Sequence, residues 1–224
     1  MGRTKATATA TASVSSITGG STTVLISPPN LRVASFTCAG TAPLMISRFA
    51  ARDQMVESQR AGSQAKSKKK RDPKDFEALF EAAAHRSPDG WYGIHAAAFR
   101  NAMISACRLV NYKMTIGKLT LHVVRDGFDR ADNTPLIRII GPAPTMDLRP
   151  ARNASGGMDI RARPIWTEWG CVVRIQYDAD HFGLQDVTNL LARAGAQVGV
   201  GEGRPDSRMS PGMGFGTFAI DGAP

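Results

Sequence analysis

Residues 194–220, AGAQVGVGEGRPDSRMSPGMGFGTFAI, gather Gly195, Gly199, Gly201, Gly203, Gly212, Gly214 and Gly216 into one short stretch. Each glycine costs conformational entropy on folding, so the concentration implies a loose tail or a backbone that must approach something closely. Amides with no Cβ to shield them can face phosphate oxygens, and Arg204 adds charge beside Gly199, Gly201 and Gly203. If these glycines cradle phosphate, valine at 201 or 203 should damage binding more than folding. Two further groups suit the same chemistry. The run RAGSQAKSKKKRDPK at 60–74 sets seven Lys/Arg, among them Lys66, Lys68, Lys69, Lys70 and Arg71, against one Asp. The stretch TMDLRPARNASGGMDIRARP at 145–164 carries Arg149, Arg152, Arg161 and Arg163 on two arms around an NASGG turn. Such cations give salt-dependent, sequence-independent attraction to a phosphate backbone. Trp166 and Trp169 can stack on bases or pack beside a strand.

Other chemistry is poorly represented. A dinucleotide fingerprint opens a helix after a strand, whereas these glycines follow a helical pattern and precede a strand. No Walker A lysine accompanies them. The four histidines are dispersed, no Cys/His cluster has metal-ligand spacing, and no cofactor or metal is expected. The net charge of +9 is local: residues 75–224 carry sixteen charges of each sign, so the body is neutral. Three scattered cysteines (Cys38, Cys107, Cys171) suit a reducing, cytoplasmic setting rather than a disulfide framework. No apolar run has membrane-span length and the N-terminus lacks an apolar signal region, so neither membrane nor secretion is expected.

The elements that must position these groups follow from periodicity. Positions 1–23, rich in Ala, Thr, Ser and Gly, read as disordered, and 24–224 as one domain. LRVASFTCAG (31–40) alternates as a strand, with Leu31, Val33, Ser35 and Thr37 on one face. A basic insertion spans about 48–90, with a short helix at 76–84 and the lysine run as a mobile loop. GWYGIHAAAFRNAMISACRLV (90–110) reads as the clearest helix, striped by Phe99, Met103, Ala106 and Val110. Strands are expected at 118–124, 135–141 and 171–178, and a hairpin excursion at about 145–164. Residues 183–195 predict a helix with Leu184, Val187, Leu191 and Ala194 inward and Gly195 as C-cap, before a last strand at 215–220. The order is α+β in a βαββαβ outline, the ferredoxin-like, RRM-like plan with insertions.

A glycine-rich loop between the second helix and last strand of that plan resembles the RAMP superfamily of CRISPR-associated proteins. GTAPLMIS (40–47) resembles the family's first-strand (S/A)PL step. YGIHAAAFRNAMISACR (92–108) resembles its IPGSS(L/F)(K/R) helix entry, with Ile94, Phe99 and Arg100 in matching places. His95 stands where proline is usual, and Ala97 and Ala98 where small hydroxyl residues are usual. The likeness covers about residues 31–220. It implies a non-catalytic backbone subunit that coats single-stranded RNA (or DNA) side by side with copies of itself or homologous subunits. His95, Arg100 and Asn101 at the helix start, the arginines of a thumb-like hairpin and the glycine-rich loop would then touch the strand. The alternatives are an endoribonuclease of the same superfamily, for which Asp53 and His95 are the candidate residues, and a phage-encoded structural protein.

Overall fold

A computed structural model describes residues 26–48, 74–152, 158–207 and 212–221. The stretch 1–23, Asp53, and the run from Lys66 to Arg71 lie outside the described residues.

The principal sheet is built from four strands whose neighbours all pair antiparallel. They are β1 (Leu31–Gly40), β5 (Leu121–Val124), β10 (Gly170–Asp178) and β11 (Phe218–Ile220), in the order β11-β1-β10-β5. Alternation decides which face is covered. Phe36 and Cys38 of β1, and Cys171, Val173, Ile175 and Tyr177 of β10, are buried, whereas Leu31, Val33, Ser35 and Thr37 face outward. Two helices supply the covering layer, α2 (Ala96–Ala106) through Phe99 and Met103 and α4 (Leu184–Arg193) through Val187 and Leu191. Leu184, expected inward, is exposed at the first turn of α4.

Two smaller sheets are added to this layer pair. The first joins β2 (Leu44–Met45) to a long ribbon, β8 (Thr145–Arg152) and β9 (Met158–Trp166), in the order β2-β9-β8. α1 (Phe76–Ala83), capped by the Asp75 side chain accepting from the Ala78 amide at 3.0 Å, packs on β9. The second contains β3 (His85–Arg86), β4 (Tyr92–His95), β6 (Gly127–Phe128) and β7 (Pro135–Arg138) in the order β3-β4-β7-β6. The chain is thus α+β, and among the described residues no helix is long and apolar enough to cross a membrane.

Three boundaries differ from the periodicity. The stretch expected to be one helix over 90–110 begins as a strand, because Tyr92–His95 pairs with β3 and β7 and only the alanine run from Ala96 turns helical. The expected strand 118–124 is helical up to Thr120 in α3 (Met114–Thr120). Arg100 holds the end of α3, donating from Nε to the Leu121 carbonyl at 2.9 Å and from Nη2 to the Lys118 carbonyl. Gly195 is not a C-cap. α4 runs into a π-helical turn, Ala194–Val198, in which Gly195 packs against Phe218, and the helix ends at Gly199 with φ of +72°.

Candidate nucleic-acid interface

β2 is the hub on which the glycine-rich loop and the ribbon meet. Leu44 and Met45 pair with Trp166 and Ile165 of β9, and Met45 also bridges to Glu202 in the loop. The loop's amides then bond inward. Glu202 N donates to Met45 O at 2.7 Å, Gly216 N to Pro43 O at 2.8 Å, Val200 N to Gly216 O at 2.9 Å and Gly199 N to Ala194 O at 2.8 Å. Gly201 has φ of +76°, and a Cβ there would stand 2.5 Å from the Met45 carbonyl oxygen. Gly199 and Gly203 share the left-handed backbone, and their nearest neighbours are Phe215 O and the Met213 methyl. What approaches these glycines closely in the fold is the protein's own chain, so backbone conformation and chain-on-chain packing are reason enough for them.

The ribbon brings its arginines to the same place. Register sets Asp147 opposite Arg163 and Arg149 opposite Arg161. Arg149 Nε donates to Asp147 Oδ1 at 2.8 Å, and its guanidinium carbon lies 5.1 Å from the centre of the Phe215 ring in the loop. Arg163 is buried and donates to Glu202 Oε2 at 3.1 Å. Arg204 is half-buried and donates to the Gly201 carbonyl at 2.9 Å. Arg161 is half-buried, and the side chain of Arg152 lies outside the described residues. Lys74, the last residue of the basic stretch, donates to the Ile160 carbonyl of β9 at 3.4 Å.

Other candidates sit elsewhere or are already engaged. Arg100 clamps the end of α3. Asn101 is exposed on α2. Trp166 is 2% and Trp169 6% exposed; Trp166 packs edge-on against Tyr92, and Trp169 Nε1 donates to Ala42 O at 2.8 Å. Both belong to the core rather than to a stacking platform. An open groove of about 950 Å³ beside α4, lined by Tyr112, Phe182, Leu190 and Ala196 among others, shares no residue with the arginine and glycine surface.

His95 stands at the end of β4 with its side chain exposed. Partial burial and the nearby His85 lower its pKa below the ordinary histidine value, against a smaller upward pull from Asp132. That neighbourhood was not legible along the chain. His85 Nδ1 lies 2.6 Å from Asp129 Oδ2, and His85, Asp129 and Asp132 offer ligand atoms all within 4.8 Å of one another. No motif spacing could announce three residues from β3 and a loop after β6.

Asp206 ties the loop to α2, accepting from Ser105 Oγ at 2.6 Å and Arg108 Nη2 at 2.7 Å. The Ser105 and Arg108 hydrogen bonds hold its carboxyl below the usual carboxylate range. A depressed folded pKa contributes stability above the unfolded value of 3.8 that is lost as pH falls through the folded value. Acid titration of Asp206→Asn should therefore run shallower than wild type below about pH 4. Equal slopes in pH-dependent melts of the two proteins would refute this.

No protein-family model matches this chain, and a comparison with curated proteins returned no match.

Proposed function

We propose that the protein binds single-stranded nucleic acid, RNA in preference to DNA, without reading its sequence. In this reading it is a non-catalytic subunit that assembles side by side with copies of itself or with homologous subunits. The sheet order β11-β1-β10-β5, with α2 and α4 on one face, is the arrangement expected of a ferredoxin-like core. The observation that carries the reading is the junction of three basic segments distant in sequence. Arg149 and Arg161 on the ribbon, Arg204 on the loop and Lys74 at the end of the lysine run meet around β2 and β9. A ribbon and loop presenting guanidinium groups on a neutral body suit a phosphate backbone, whose contacts carry no base identity.

The test is fluorescence anisotropy with labelled single-stranded RNA and DNA of several sequences over a salt series. Changing Lys66, Lys68, Lys69, Lys70 and Arg71 together to Gln should leave the melting temperature unchanged. It should weaken binding and flatten the log affinity–log salt slope by roughly 0.7 for each phosphate no longer neutralised. Arg149→Gln should weaken all sequences equally. Wild-type protein that binds no single strand at low salt overturns the proposal, and an unchanged slope removes the lysine run from the interface.

A second reading, RNA cleavage, draws on His95 beside the His85–Asp129 pair, since two neighbouring imidazoles can share acid and base roles. Cleavage products from labelled RNA that disappear in His95→Ala would favour it over simple binding.

A further inference from the structure

We propose that His85, Asp129 and Asp132 form a binding site for a divalent transition-metal ion of the zinc class. The site lies between β3 and the 129–134 loop, apart from the arginine surface, and does not depend on the nucleic-acid reading. Its donor set is one imidazole and two carboxylates, which suits zinc or a neighbouring divalent ion. Zinc bonds to such atoms are about 2.0–2.2 Å long, so two donors at a tetrahedral angle lie about 3.4 Å apart. Donor atoms already within 4.8 Å of one another need only small rotations to meet that geometry.

The loop prepares both carboxylates in the same way. Asp129 Oδ1 accepts from the Ala131 amide at 2.8 Å and Asp132 Oδ1 from the Thr134 amide at 3.0 Å. Each residue thereby keeps Oδ2 for a second partner. Asp129 Oδ2 meets His85, and Asp132 Oδ2 meets Arg48 Nε at 3.0 Å. With a neutral imidazole the group holds two carboxylates against one guanidinium, although the Asp129 side chain is 1% and that of His85 9% exposed. Such burial of excess negative charge is costly, and a divalent ion would offset it.

Ser87 stands just past the end of β3, two positions beyond His85. It is 1% exposed, and its buried hydroxyl has no hydrogen-bond partner.

The experiment uses the full chain stripped with a chelator and titrated with zinc chloride, reading calorimetric stoichiometry and melting temperature. One ion per chain and a melting temperature that rises with zinc are expected. Asp132→Asn keeps the acceptor for the Thr134 amide and lies at the exposed edge, so the stripped variant should fold. Its zinc affinity should fall roughly tenfold or more, as should that of His85→Gln. The proposal is overturned if wild-type protein takes up no zinc. It is equally overturned if Asp132→Asn, folded by its melt, binds zinc as tightly as wild type, which would assign the ion to other groups such as the cysteines.

Discussion

Gly201→Val should lower the melting temperature by about 6–12 °C, from a cost of roughly 3 kcal/mol in a chain of this size. The cost has two sources that can be separated. The left-handed backbone at φ +76° penalises any side chain, and a Cβ would press on the Met45 carbonyl at 2.5 Å. Gly214 isolates the first source, because its φ is +74° but no atom lies within 4 Å of an added Cβ. Gly214→Ala should therefore cost only about 1–2 kcal/mol. Calorimetric melts of the two variants check the ranking, and a Gly201→Val melt no lower than that of Gly214→Ala would refute the close packing. Single-strand affinity of Gly201→Val, measured well below its melt, should stay near wild type. Lost affinity with an intact fold would instead restore the glycines as phosphate contacts.

Those glycines mark where sequence reading stops. Their number reveals that something comes close, but nothing local names Met45, more than 150 positions earlier, as the neighbour. What periodicity records is burial on one element. The alternation of Cys171, Val173, Ile175 and Tyr177 and the spacing of Val187 and Leu191 place β10 and α4 with their buried faces. The NASGG turn between extended arms likewise marks the two strands that pair as β8 and β9. Periodicity is weak where one element runs directly into another. Tyr92–His95 is too short to interrupt the apolar stripe that follows it, and α3 passes into β5 without a breaker. It is also silent on whom a charge meets. Arg100 reads along the chain as a candidate strand contact, and only folding brings the carbonyls of Lys118 and Leu121 to its guanidinium.

The same limit applies to Arg163, which reads as one more arginine of a basic ribbon but is 6% exposed and paired with Glu202. Removing one partner of a buried pair leaves the other charge without compensation, at a typical cost of about 3–5 kcal/mol. Glu202→Ala removes one partner of the more buried charge, so it should lower the melting temperature by several degrees. Arg163→Ala should cost somewhat less, because the Glu202 side chain is 20% exposed and keeps part of its hydration. Combining Arg163→Met with Glu202→Leu removes both charges and retains volume, so the double variant should melt closer to wild type than Glu202→Ala does. A double variant less stable than either alanine variant would show that the two side chains act independently. Binding separates this arginine from Arg149 on the other strand of the ribbon. Arg163→Ala should lose single-strand affinity only as far as it unfolds, whereas Arg149→Gln, whose side chain is 41% exposed, should lose more affinity than its melt accounts for.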